Sequence, residues 1–127
     1  MGAVQRPVVA DALALPLRTD ALAVAFSHLF FHHFDPAQNR RVLDEMLRVA
    51  PTVVVVDLAR GWLGRAMVRP LLLLLLLSSV AYEDGVTSVA RAYSRGEVSE
   101  VVAGMPVRAL RACVPARWLL VLDRALR

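Results

Sequence analysis

The chain has 127 residues, 57% of them hydrophobic and 20% charged, with a formal net charge of +4 at pH 7. That length allows one domain with a real core, residues 1–127, but is short for a complete α/β enzyme. All fifteen cations are Arg, scattered from Arg6 to Arg127 with only Arg40 and Arg41 adjacent; this dispersed pattern speaks against a nucleic-acid partner, whose binders cluster their charge. Cys113 stands alone, which excludes an intrachain disulfide and a Cys-type metal cluster and suits a reducing, cytoplasmic location. The first residues lack a basic start followed by an apolar run, so no secretory signal is expected.

In chain order, the first element is a short apolar strand at Val8–Ala10, which runs into Asp11 and a Leu15-Pro16 turn. A second buried strand is expected at Ala21–Phe26. A helix follows: Asp35 is a good N-cap, Pro36 takes the first helical position, and Gln38 completes a D-x-x-Q capping box. Val42, Leu43, Met46, Leu47 and Ala50 recur at helical spacing, while Arg40, Arg41, Asp44, Glu45 and Arg48 face away, and Pro51 ends the helix. The four valines of Val53–Asp57 are poor helix material because β-branching restricts χ1, and they have the length of a buried central strand.

Leu71–Leu77 is a run of seven leucines within thirteen uncharged residues, from Pro70 to Tyr82. A spanning helix needs about 20 residues, so no transmembrane span is expected, and a buried or cap helix is the better reading, with weak membrane-surface contact as the alternative. Ser94-x-x-Glu97 forms another capping box, opening a helix that ends near Gly104. Val107–Val114 and Trp118–Leu122 close the chain as two strands whose tight connection permits only antiparallel pairing.

The succession Val8 to Phe34 resembles the middle of a class I S-adenosylmethionine (SAM)-dependent methyltransferase. Asp11-Ala12-Leu13-Ala14-Leu15-Pro16 is similar to that family's D-A-x-x-L-P turn, and Asp84-Gly85-Val86-Thr87-Ser88-Val89-Ala90-Arg91-Ala92-Tyr93 to a D-G-x-x-S-x-x-R-A-(Y/F) element of members acting on small phenolic, quinone or polyketide-like acceptors. The resemblance implies an α/β fold, a partial Rossmann-like methyltransferase architecture: a mostly parallel sheet with a C-terminal antiparallel hairpin and a cap over about residues 60–93. It implies SAM as cofactor and methyl transfer to a small hydrophobic acceptor.

By the same resemblance, the Asp11 carboxylate accepts the adenine amino group and the Ala12 backbone N–H reaches a ring nitrogen. Ser27 and His28, ending the second strand, border the methionine part of SAM at the carboxyl edge where open α/β sheets bind ligands. Asp57 and Arg60 line the acceptor site; Asp57 could equally cap the next helix. His28, His32 and His33 are the candidates for a general base, since imidazole titrates near working pH. No second Cys or nearby Glu completes a ligand set around them, so no metal is expected. Methyl transfer from a sulfonium is an in-line displacement that orientation and exclusion of water can accelerate, so it asks little of side chains.

Complete members carry a Gly-rich cofactor turn and a ribose-binding acid ahead of the adenine turn. Only Gly2 precedes Asp11 here, and two strand-helix units of about 30 residues each are wanting. The chain therefore reads as the C-terminal two-thirds of a methyltransferase with the N-terminal strand-helix units missing, and alone it is expected to be impaired, binding SAM weakly or not at all. In that case Val8–Ala10 loses its neighbour and Ala21–Phe26 becomes an exposed apolar edge, open to self-association. A non-catalytic methyltransferase-like subunit completed by a partner, and a peripheral membrane-binding protein, are the alternatives.

Overall fold

The computed structural model describes residues 7–61, 66, 86–114 and 116–126. Four strands, β1 (Val24–His28), β2 (Thr52–Leu58), β3 (Val107–Cys113) and β4 (Arg117–Asp123), form one sheet in the order β1-β2-β4-β3. β1 and β2 are parallel, joined by the helix α1 (Pro36–Val49) as a parallel crossover requires. β4 returns antiparallel between β2 and β3. The architecture is the expected partial Rossmann-like α/β fold, but among the described residues the sheet is mixed, with one parallel and two antiparallel pairs, instead of mostly parallel.

Two of the described helices start where their side chains can satisfy the first free N–H groups. Asp35 accepts from the Gln38 backbone N–H at 2.7 Å while the Gln38 amide oxygen accepts from the Asp35 N–H at 3.2 Å. Ser94 and Glu97 exchange the same two bonds at the head of α2 (Arg95–Val101). Each such cap stabilises its helix by about 1 kcal/mol. After α2 the chain turns through Gly104 at φ +74°, a conformation that a side chain would strain.

Alternation sets the two faces of the sheet. Val53, Val55 and Asp57 of β2 and Trp118, Leu120 and Leu122 of β4 point to one side, against Val42, Leu43, Met46 and Leu47 of α1 and Val98 and Val101 of α2. On the opposite side Val54, Val56, Leu119 and Val121 are half-buried. β1 is an edge strand on which Val24 and Phe26 are 52% and 64% exposed, the apolar edge expected from the sequence.

Two strand boundaries differ from expectation. Val8–Ala10 forms no strand; it is exposed and pairs with no strand among the described residues. β1 begins three residues late and extends through Ser27 and His28, because residues 20–22 are committed elsewhere. Asp20 adopts φ +56°, and the Asp20 and Leu22 N–H groups donate to the Arg48 and Val49 carbonyls at the end of α1. Most of the expected cap, including Leu71–Leu77 and the Asp84-Gly85 start of the second motif, lies outside the described residues; residues 86–91 are helical. No described helix is long and apolar enough to cross a membrane.

Candidate functional site

Asp11 closes a turn on itself. Its Oδ1 accepts from the Leu13 N–H at 2.9 Å, and its carbonyl accepts from the Ala14 N–H at 3.1 Å. This is the local bonding that makes Asp a turn former. The second carboxylate oxygen is in no hydrogen bond among the described residues, and Asp11 is exposed. Ala12, Leu13 and Leu15 fold back onto the core, which fixes the turn beside α1 and the end of β1.

Between these elements lies a groove of about 320 Å³, lined by Ala12 and Leu15 from the turn, Ser27 and His28 from β1, and Val42 and Met46 from α1, with Phe26 and Phe30 at its rim. Three of the four residues expected at the cofactor, Ala12, Ser27 and His28, thus share one wall-to-wall space, and Asp11 adjoins it. Ser27 and His28 leave the strand on opposite faces. His28 stacks on Phe26 at 6.2 Å and approaches Arg117 Nη1 at 3.4 Å. Larger grooves lie at α2, one of about 680 Å³ against β3 and one of about 460 Å³ beside Tyr93. Neither touches the carboxyl ends of the parallel strands, where open α/β sheets bind ligands.

Asp57 belongs to β2 and is buried at 1% exposure, with its carboxylate turned onto the chain that follows β1. Leu29, in the left-handed region at φ +52°, bends the chain after β1, and the 3-10 turn Phe31–His33 comes back over the end of β2. The Asp57 carboxylate grips that turn. Oδ2 accepts from the Phe31 and His32 N–H groups, while Oδ1 meets the His32 Nδ1 at 2.7 Å and the Leu58 N–H at 2.6 Å. With both oxygens accepting backbone N–H groups, His32 Nδ1 is assigned as the donor, which leaves the lone pair on Nε2. An unpaired carboxylate at this depth would be costly; four donors are what make it tolerable.

The same turn is held from the other side. Asn39 donates to the Phe31 and Phe34 carbonyls at 2.9 and 3.3 Å, and the Tyr93 hydroxyl donates to Phe34 at 2.6 Å. Burial pushes the Tyr93 hydroxyl above its ordinary pKa. Phe31 packs edge-on against Trp118 and Tyr93, with ring centroids 5.4 and 5.7 Å away. His33 lies outside this cage, exposed, its ring 4.2 Å from that of His32. The three histidines thus differ in setting: His28 lies at the groove, His32 is buried on Asp57, and His33 is at the surface with its ring against that of His32.

Arg60 leaves β2 and is used at the neck of the expected cap. Its N–H donates to the Tyr93 carbonyl at 3.1 Å, Ala59 bridges Tyr93 in parallel, and its guanidinium pairs with Glu97. The Ser94 bonds, and then Arg60, hold the Glu97 carboxyl below the usual carboxylate range. Glu45 and Arg48 also reach the site, against the expectation that they face away. Glu45 Oε1 accepts from the Leu15 N–H at 2.8 Å, and Arg48 donates to the Leu15 carbonyl at 3.2 Å. Their spacing put them on the polar face of α1; what the spacing could not show is that the 11–15 turn lies on that face.

No family model and no curated protein matches the sequence. Solved structures do match. A SAM-dependent methyltransferase from Aquifex aeolicus aligns with 92% of this chain and 53% of its own, at 16% identity and a TM-score of 0.63. PigF with SAH aligns with 91% of this chain and 38% of its own, at 11% identity and a TM-score of 0.57. An O-methyltransferase family 2 protein from Planctomyces limnophilus, in complex with apigenin, aligns with 91% and 33%, at 15% identity and a TM-score of 0.57. The chain thus spans about half the length of the first of these and about a third of the others. This chain therefore has part of the fold of the class I SAM-dependent methyltransferases.

Proposed function

We propose that this chain forms part of a cytoplasmic SAM-dependent methyltransferase acting on a small, hydrophobic acceptor. The observation that carries the reading is the groove beside Asp11, which gathers Ala12, Ser27 and His28 on a methyltransferase fold. In it the free Asp11 oxygen accepts the adenine amino group, the Ala12 N–H meets a ring nitrogen, and Ser27 and His28 border the methionine part. SAM supplies the methyl group as a sulfonium. The cap at about residues 60–93 covers the acceptor, with Arg60 at its neck, and the apigenin-bound relative supports an aromatic hydroxyl compound as the acceptor class.

Within this reading His28, which lines the groove, is the histidine placed to meet a ligand as a base. His32 is buried on Asp57 and lines none of the described grooves; its ring is held there through Nδ1. Calorimetric titration of S-adenosylhomocysteine into the chain and its Asp11→Ala variant tests the cofactor site. Binding that Asp11→Ala abolishes supports the site; binding that survives it removes Asp11 from the cofactor.

A second reading, a methyltransferase-like subunit completed by a partner or another copy, is favoured by the exposed Val24 and Phe26 on the β1 edge. Light scattering on the purified chain, alone and with Phe26→Lys, separates it. An assembly that Phe26→Lys disperses supports completion through β1, and a monomer in both cases counts against self-association.

A further inference from the structure

Beside the groove, a pair of side chains does the work of a strand. Arg48 Nε donates to Glu45 Oε2 at 2.8 Å and Arg48 Nη2 to Glu45 Oε1 at 2.6 Å, a two-bond fork along one face of α1. The fork then meets one residue of the N-terminal turn on both of its main-chain polar atoms: Glu45 accepts the Leu15 N–H, and Arg48 donates to the Leu15 carbonyl. An acceptor and a donor offered together to one residue is what a neighbouring strand presents in a ladder. Among the described residues no strand pairs with that stretch, and the helix supplies the two groups instead.

The chain beyond the turn is fixed by main-chain bonds, from Asp20 to the Arg48 carbonyl and from Leu22 to the Val49 carbonyl. The turn itself depends on the Glu45–Arg48 fork and on the packing of Ala12, Leu13 and Leu15. The bond from Arg48, against the opposing effect of burial, holds the Glu45 carboxyl below the usual carboxylate range, and the same bond raises the Arg48 guanidinium. Glu45 is the more sheltered partner, with a side chain 16% exposed against 35% for Arg48.

Resting on the methyl-transfer reading, we propose that Glu45 and Arg48 are positioning residues that hold the 11–15 turn against α1 and so set the spacing of Ala12 and Asp11 from Ser27 across the groove. Neither residue lines the groove; both act through Leu15, whose side chain does.

The test follows amide hydrogen exchange by NMR at Leu15 and at Val55 in the core, together with S-adenosylhomocysteine affinity, for the native chain, Glu45→Ala and Glu45→Gln. In Glu45→Ala the Leu15 amide exchanges roughly three- to tenfold faster, the worth of one lost hydrogen bond, and the dissociation constant rises by a similar factor. Val55 is unchanged. Glu45→Gln keeps an oxygen for the Leu15 N–H and recovers part of both effects. The proposal is overturned if Leu15 exchange does not change, if Leu15 and Val55 accelerate together, or if the turn loosens with no change in affinity. Should the native chain bind no S-adenosylhomocysteine, the cofactor site of this chain alone falls, and the Leu15 and Val55 pattern decides whether the fork holds the turn.

Discussion

The two ends of the site are built on opposite terms. At the 11–15 turn, the Asp11 carboxylate is exposed, makes one bond to its own turn and keeps an oxygen unused. At the end of β2, the Asp57 carboxylate is buried and committed to four donors, one of them an imidazole. A group that must meet a ligand keeps a lone pair in water. A group that must hold another side chain in place is saturated and sealed. On the proposed function, the contrast suits the first region to recognition and the second to orientation.

The largest expected effect breaks the buried end. Asp57→Ala strands the Phe31 and His32 N–H groups and the His32 ring, each worth about 1–3 kcal/mol when buried and unpaired, so the loss of stability is at least about 3 kcal/mol. Urea denaturation measures it. Asp57→Asn sharpens the same point. Its oxygen still accepts from the Phe31 and His32 N–H groups, but its NH₂ loses the Leu58 N–H and faces the imidazole nitrogen, favouring a proton on Nε2 instead of Nδ1. The expected cost is smaller, about 1–2 kcal/mol, with the His32 tautomer reversed in its ¹⁵N chemical shifts. An unchanged tautomer would mean that Asp57 anchors the turn without orienting the ring.

The two regions were also unequally legible in the sequence. The capping residues Asp35, Gln38, Ser94 and Glu97, the valines of β2 and the closing hairpin obey local rules, and the structure has them where the chain predicts. Asp11 was found through a motif whose six residues are contiguous. The Asp57–His32 bond joins residues 25 positions apart and depends on the left-handed Leu29, which no local preference announces. Val8–Ala10 looked like a strand because its composition suits one, but pairing needs a neighbour, and composition does not report whether there is one. Glu45 and Arg48 were misjudged for a related reason: helical periodicity separates polar from apolar faces without saying which segment later covers the polar one. Two apolar residues, Leu13 and Leu15, in an otherwise exposed turn were the available signal that something had to receive it.

Acid acts on the exposed parts first and gives an intermediate effect. Glu45 and Glu97 both have carboxyls held below their ordinary pKa in the folded chain, by Arg48 and by Ser94 respectively. A lowered folded-state value means that the stabilisation is complete above the unfolded-state pKa, about 4.3 for Glu, and is lost as pH falls through the folded-state value. Stability is therefore flat with respect to these groups from neutrality down to about pH 5 and declines below it. Thermal melts of Glu97→Gln should show a shallower acid decline than the native chain. An equally steep one would assign the decline to other carboxylates.

The smallest effect on stability falls on the residue with the largest proposed effect on binding. Asp11→Ala removes one exposed bond to Leu13, and surface changes of this kind usually stay within about 0.5 kcal/mol. The turn keeps its Ala14–Asp11 main-chain bond, its apolar contacts and the Glu45–Arg48 fork, so the groove persists while the adenine acceptor is gone. Unchanged melting with abolished S-adenosylhomocysteine binding is the outcome that separates a recognition residue from a structural one. A loss of stability comparable to that of Asp57→Ala would show that Asp11 holds the fold as Asp57 does, and the division between the two regions would not stand.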